Sequence, residues 1–374
     1  MIFLLLFSSY LLFLYSKIVT ITAITTTTVS ICRENLKWNV KNPIIILGTN
    51  ISNDDVEYSE NDRRYLNTPN SLYLDEQEQI LYVSNQNGAA IKQLYLKNLT
   101  FKNIITNHKD ALMNPEGIFV SKKFQQIYVV EGWPHYRIRM WSTTKQLNID
   151  NSKTVIKLNP FNNHMLSIWV DSKGSIYFVD RDNNRIIKAL FNDDGTNKNL
   201  TVVAGGHGAG NKPNQLNFPN SMYLDETNQV MYISNMWENT IRKWKLGSNK
   251  GEVIIGKSGV EGNSSTLMNC PSSMTLDENN QQLYVVDACN KRIQMFCLKQ
   301  SSSYPLVGKT IIQFSEDLSI SSIALDKTNF NLYVATVTPS TVTKYELETV
   351  INNKNQAKLK KKTSIKDKKK TKKN

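Results

Sequence analysis

One unit recurs along this chain at intervals of 46 to 54 residues, and that period constrains the fold more than any single motif does. Its clearest copy reads Pro219-Asn220-Ser221-Met222-Tyr223-Leu224-Asp225, then Val230-Met231-Tyr232-Ile233-Ser234-Asn235, then Asn239-Thr240-Ile241-Arg242-Lys243-Trp244. A sister copy runs from Pro271 through Leu283-Tyr284-Val285-Val286-Asp287 to Arg292-Ile293-Gln294-Met295-Phe296. Six copies start at Pro69, Pro115, Met165, Pro219, Pro271 and Ile320. Each carries a tyrosine at one fixed place: Tyr82, Tyr128, Tyr177, Tyr232, Tyr284 and Tyr333.

The segments are short, rich in Val, Ile and Tyr, and bounded by Asn, Asp and Gly, which is strand chemistry. Weaker fourth segments follow in five copies, at Asn103–Ile105, Thr154–Ile156, Thr201–Val203, Glu252–Ile255 and Thr310–Ile312. Four strands per repeat predict an all-β, six-bladed β-propeller. The sixth copy lacks a fourth strand after Tyr345, whereas a spare strand, Ile44-Ile45-Ile46-Leu47, precedes the first. Pairing that strand beside Thr341–Tyr345 closes the ring and removes an exposed edge.

The pattern Pro-x-x-φ-x-φ-Asp, φ-Tyr-φ-φ-Asp, Asn-x-Arg-Ile resembles the NHL-repeat six-bladed propellers over roughly residues 43–347. Repeats four and five fit it best; repeat three lacks the leading Pro, and repeat six lacks both the Pro and the Asn-x-Arg turn. Members of this family bind proteins, bind RNA or act as lyases, so the resemblance sets the fold and leaves the activity open. The domain layout expected is a signal peptide or uncleaved anchor over 1–31, a propeller over 38–350 and a Lys-rich disordered tail over 351–374.

Met1–Tyr15 is almost wholly apolar and too short for a comfortable span, as in a secretory signal. The expectation is a secreted chain, with a membrane anchor through 1–31 as the alternative. The net charge of +13 is a property of one end, because residues 354–374 carry eleven Lys and one Asp. That tail suits a solvated segment attracted to anionic surfaces, and leaves nucleic-acid binding disfavoured. A single closed ring is expected to be monomeric.

Four cysteines suit two bridges in an oxidising compartment. Blade geometry puts Cys270 and Cys289 at one end of blade 5. It puts Cys297 at the other end, near Cys32, which precedes the closing strand. The expected pairs are Cys270–Cys289 and Cys32–Cys297, with buried free thiols as the alternative. Sequons put glycosylation at Asn50, Asn98 and Asn263 if the chain is secreted.

No Ser-nucleophile motif, phosphate loop or Cys-x-x-Cys is present, and no catalytic residue is assigned. The four histidines, His108, His135, His164 and His207, occupy loops at non-equivalent blade positions and read as solvated. Oxygen-bearing residues on one end of the blades, namely Glu116, Glu131, Asp180, Asn220, Asn235 and Asp287, could suit Ca²⁺. The competing reading is that such residues bond their own turns and the neighbouring Asn-x-Arg. No cofactor is otherwise expected.

The turns after the second strands carry the least repetitive residues: Trp133, His135 and Tyr136, then Arg181, then Trp237. Aromatic residues beside Arg137, Arg181 and Arg185 are anchor chemistry for a protein or glycan partner. The expected function is therefore a non-enzymatic binding scaffold. The alternatives are a metal-dependent channel enzyme resembling the NHL lyases or the lactonases, and an RNA-binding NHL protein.

Overall fold

The computed structural model describes residues 32, 37–48, 65–106, 112–144, 151–158, 164–191, 197–299 and 304–348. Expectations for 1–31, Asn50, His108 and 351–374 lie outside the described residues. Strand β1 (Ile44–Gly48) precedes the repeats. Blade 1 holds β2 (Pro69–Asp75), β3 (Ile80–Asn85), β4 (Ala90–Tyr95) and β5 (Thr100–Thr106). Blade 2 holds β6 (Pro115–Ser121), β7 (Gln126–Glu131), β8 (Arg137–Ser142) and β9 (Ser152–Lys157). Blade 3 holds β10 (Met165–Val170), β11 (Ile176–Asp180), β12 (Arg185–Phe191) and β13 (Asn197–Gly205). Blade 4 holds β14 (Pro219–Asp225), β15 (Val230–Asn235), β16 (Thr240–Lys245) and β17 (Glu252–Gly256). Blade 5 holds β18 (Pro271–Asp277), β19 (Gln282–Asp287), β20 (Arg292–Cys297) and β21 (Gly308–Gln313). Blade 6 holds β22 (Ser319–Asp326), β23 (Asn331–Thr338) and β24 (Thr341–Glu346), and β1 completes it.

This is the six-bladed propeller that the repeat predicts. Every sheet is a four-stranded antiparallel meander, and the first strands touch in sequence around one axis. Closure is as expected: Ile44 pairs with Lys344, Ile45 with Thr343 and Leu47 with Val342. Ile46 and Leu47 are fully buried between blades 6 and 1, so the strand contributes packing as well as backbone bonds.

The repeated residues have repeated jobs. The Asp ending strand 1 caps the hairpin, as Asp225 accepts the Asn228 N–H at 3.0 Å and Asp277 that of Asn280 at 3.1 Å. The recurring Tyr is buried in every blade. Apolar clusters fill the interfaces between neighbouring blades, with Trp141, Trp244 and Phe296 at their outer ends. Burial of such surface is the main driving force for ring assembly.

Both disulfides form as expected. Cys270 and Cys289 have Cα atoms 5.4 Å apart, and Cys32 and Cys297 are 5.8 Å apart. The second bridge pins the segment before β1 to blade 5. Trp38 then buries itself edge-on to Tyr284, and β1 runs on into blade 6. Among the described residues no helix is long and apolar enough to cross a membrane.

Candidate functional site

The six first strands line a central channel. The third residues of the repeats, counted from Pro69, Pro115, Met165, Pro219, Pro271 and Ile320, are Ser71, Gly117, Ser167, Ser221, Ser273 and Ser322. The hydroxyls tie blades together: Ser273 accepts the Ile323 N–H at 3.2 Å, and Ser322 accepts the Leu72 N–H at 3.1 Å. Gly117 breaks the ring of serines because a Cβ there would collide with the Leu166 carbonyl of blade 3. The serines border both an upper chamber of about 290 Å³ and a lower one of about 330 Å³.

The upper chamber is polar, and Glu116 is its centre. Its carboxylate accepts from the Asn70 amide, from the Gln86 amide at 2.8 Å and from His164 Nε2 at 3.2 Å. Gly132 makes this arrangement possible, since a Cβ would lie 2.8 Å from Glu116 Oε1. On its far side, His164 Nδ1 contacts the Arg181 guanidinium. A guanidinium only donates, so Nδ1 accepts and Nε2 carries the proton toward Glu116. Burial pushes the Arg181 guanidinium down, while Asp182 and Glu116 hold it up.

Arg181 links this chamber to an aromatic ridge. Its guanidinium carbon lies 4.4 Å from the Phe218 ring centroid. Phe218 stacks on Trp237 at 4.2 Å with the rings 8° apart. The Trp237 side is open: that residue is 60% exposed, and Trp133 on blade 2 is 66% exposed. Tyr136 meets His164 edge-on at 6.3 Å. Trp133, Tyr136, Arg181 and Trp237 therefore share one rim across blades 2 to 4, together with His135.

One expectation needs correction: His164, read from the sequence as solvated, is bound on both ring nitrogens, between Glu116 and Arg181. Arg137 and Arg185 follow the competing reading, in which strand-end carboxylates bond the neighbouring arginine. They pair with Glu131 at 2.9 Å and Asp180 at 2.7 Å inside their own blades.

The six proposed oxygen ligands do not converge. Only Glu116 and Asn220 line the upper chamber. Asn235 and Asp287 instead accept the N–H of the incoming loop, from Asn217 at 2.6 Å and Asn269 at 2.7 Å. Glu131, Asp180 and Asp287 also pair with Arg137, Arg185 and Arg292 across the second hairpin. Among the described residues no group of three or more His, Cys, Asp or Glu is placed to hold a metal. Burial outweighs the arginines and pushes the Glu131 and Asp180 carboxyls above their usual range.

Sequence reasoning missed Phe218 as well as the contacts of His164. Both occupy one repeat position, immediately before strand 1, where other copies have Thr68, Asn114, Cys270 and Ser319. Divergence at that position was the available signal.

The NHL repeat family model matches residues 268–296, the first part of blade 5. The chain is a six-bladed propeller that carries a recognised NHL repeat in blade 5. Solved structures share this fold at low identity. An auxiliary nutrient binding protein from Bacteroides thetaiotaomicron superposes with a TM-score of 0.61 at 10% identity, covering 82% of this chain and 76% of that one. One from Bacteroides ovatus gives 0.60 at 12%, covering 83% and 77%. A luciferin-regenerating enzyme gives 0.54 at 12%, covering 82% and 95%. Binder and enzyme share one fold, so these likenesses bear on fold alone. No curated protein matches the chain.

Proposed function

We propose that this NHL propeller is a non-enzymatic scaffold, acting outside the cell, that docks a protein partner over the upper face of blades 2 to 4. The observation that carries the reading is the continuous Arg181–Phe218–Trp237 stack, open at the Trp237 end. A half-buried arginine laid against stacked aromatics is already partly desolvated and oriented. It therefore loses little freedom on binding, which is the physics of an interface anchor. Trp133 supplies a second exposed aromatic on the same rim.

Binding is favoured over catalysis by the wiring of His164. Arg181 occupies Nδ1 and Glu116 occupies Nε2, so neither nitrogen is free to take a substrate proton. Two disulfides and the apolar start support an oxidising compartment.

The test is cross-linking to identify a protein partner, followed by titration with wild type and a Trp133→Ala/Trp237→Ala variant. The variant should lose affinity by roughly thirtyfold or more, with stability shifted by less than about 2 kcal/mol. Unchanged affinity, or turnover of a lactone or peptidyl-glycine by the pure chain, would reject the scaffold reading.

A further inference from the structure

The lower chamber is chemically unlike the upper one. At the fifth position of strand 1, four successive blades place Tyr73, Phe119, Trp169 and Tyr223. These rings form a continuous arc, with centroids 5.1, 5.3 and 4.7 Å apart and planes tilted by 63°, 53° and 58°. Tilted contacts keep the rings from stacking on one another and leave ring faces for the chamber. Blades 5 and 6 have Thr275 and Ala324 at that position, which is where the open volume lies.

The chamber mouth carries surplus negative charge. Its charged lining is Glu76, Glu278 and Lys327. Lys327 Nζ lies 3.2 Å from Glu76 and 2.8 Å from Glu278, so one ammonium serves two carboxylates. The Tyr223 hydroxyl donates to Glu278, which enriches its ring in electron density. Burial pushes the Glu76 carboxyl above its usual range despite the pull of Lys327.

We propose that the lower chamber is a binding site for a small organic cation of the alkylammonium class. Ring faces attract a weakly hydrated cation through their quadrupoles, and the attraction grows when water is excluded. The carboxylates at the mouth supply the counter-charge. A neutral pyranose could stack on the rings but would leave the surplus charge unbalanced. The site differs from the docking face in its lining, since the aromatic arc, Glu76, Glu278 and Lys327 border only the lower chamber.

The test titrates the full chain with choline chloride and tetramethylammonium chloride. It follows the ligand methyl resonances by NMR and the heat by calorimetry. Binding at one site, with methyl signals shifted upfield by ring currents, is expected. Thr275→Phe should fill the chamber and abolish it. Glu278→Gln should weaken it about tenfold, and Trp133→Ala/Trp237→Ala should leave it unchanged. The proposal is overturned if a chain with an intact melting transition binds neither salt, or if binding ignores both Thr275→Phe and Glu278→Gln. It is overturned equally if methyl glucopyranoside binds as tightly as choline.

Discussion

Arg181 leaves blade 3 and lays its guanidinium over Phe218, the residue that introduces blade 4, at 4.4 Å from the ring centroid. The same guanidinium reaches His164 on its other side. One side chain thus joins the channel mouth to the exposed ridge.

That geometry makes the two residues energetically coupled. A double-mutant cycle with Arg181→Ala and Phe218→Leu, read by urea unfolding, should give a coupling of about 1 kcal/mol. Phe218→Leu should also release Trp237 and raise its fluorescence mobility. Additive single effects would show that the stack is contact without coupling.

The latch ion pairs should differ in strength because their arginines differ in burial. Asp287 accepts from Asn269, Asn290, Arg292 and Gln294, and the Arg292 side chain is only 7% exposed. Asp287→Asn strands that charge and should cost about 3 kcal/mol. Arg185, at 32% exposed, keeps water when Asp180 is changed to Asn. The second substitution should therefore be milder in the same urea titration.

Ring closure depends on β1. Deleting residues 43–48 removes the buried Ile46 and Leu47 and bares the edge of β24. The melting temperature should fall by about 10 °C or more. Replacing Cys32 and Cys297 by Ser should lower stability less, by about 2–4 kcal/mol, because β1 stays in place. Differential scanning calorimetry ranks the two.

The buried repeat tyrosines set an alkaline limit. Burial pushes Tyr82, Tyr128 and Tyr232 up to about 12 from an unfolded value of 10.0. A raised folded pKa means the folded chain holds these protons more tightly. The stabilisation is complete below the unfolded value and is lost as pH climbs from there through about 12. Stability should thus be insensitive to tyrosine below that window, then fall steeply, with tyrosinate absorbance appearing together with unfolding.

Several features were legible in residue order because their physics is local and repeats. The Asp that caps each first hairpin and the buried Tyr need only their own blade. The latch pairs show this well: Glu131, Asp180 and Asp287 stand opposite Arg137, Arg185 and Arg292, whereas Asn85 and Asn235 stand opposite Ala90 and Thr240. Local patterns of this kind recur from copy to copy, so blade count and ring closure could be read from the order, and blade geometry favoured the disulfide pairs that form.

Both chambers arise only when blades meet. Glu116 comes from blade 2 and His164 and Arg181 from the two ends of a blade 3 hairpin, and the three share no repeat position. They converge because Gly132 vacates space beside Glu116 and the blade 2–blade 3 boundary brings His164 and Arg181 against it. Likewise Tyr73, Phe119, Trp169 and Tyr223 look like ordinary core alternation until the ring brings them to one wall. Periodic burial and hairpin register are short-range constraints that a sequence carries in every copy. Which departures from the repeat touch one another is fixed by the curvature of the closed ring, and only the tertiary structure decides that.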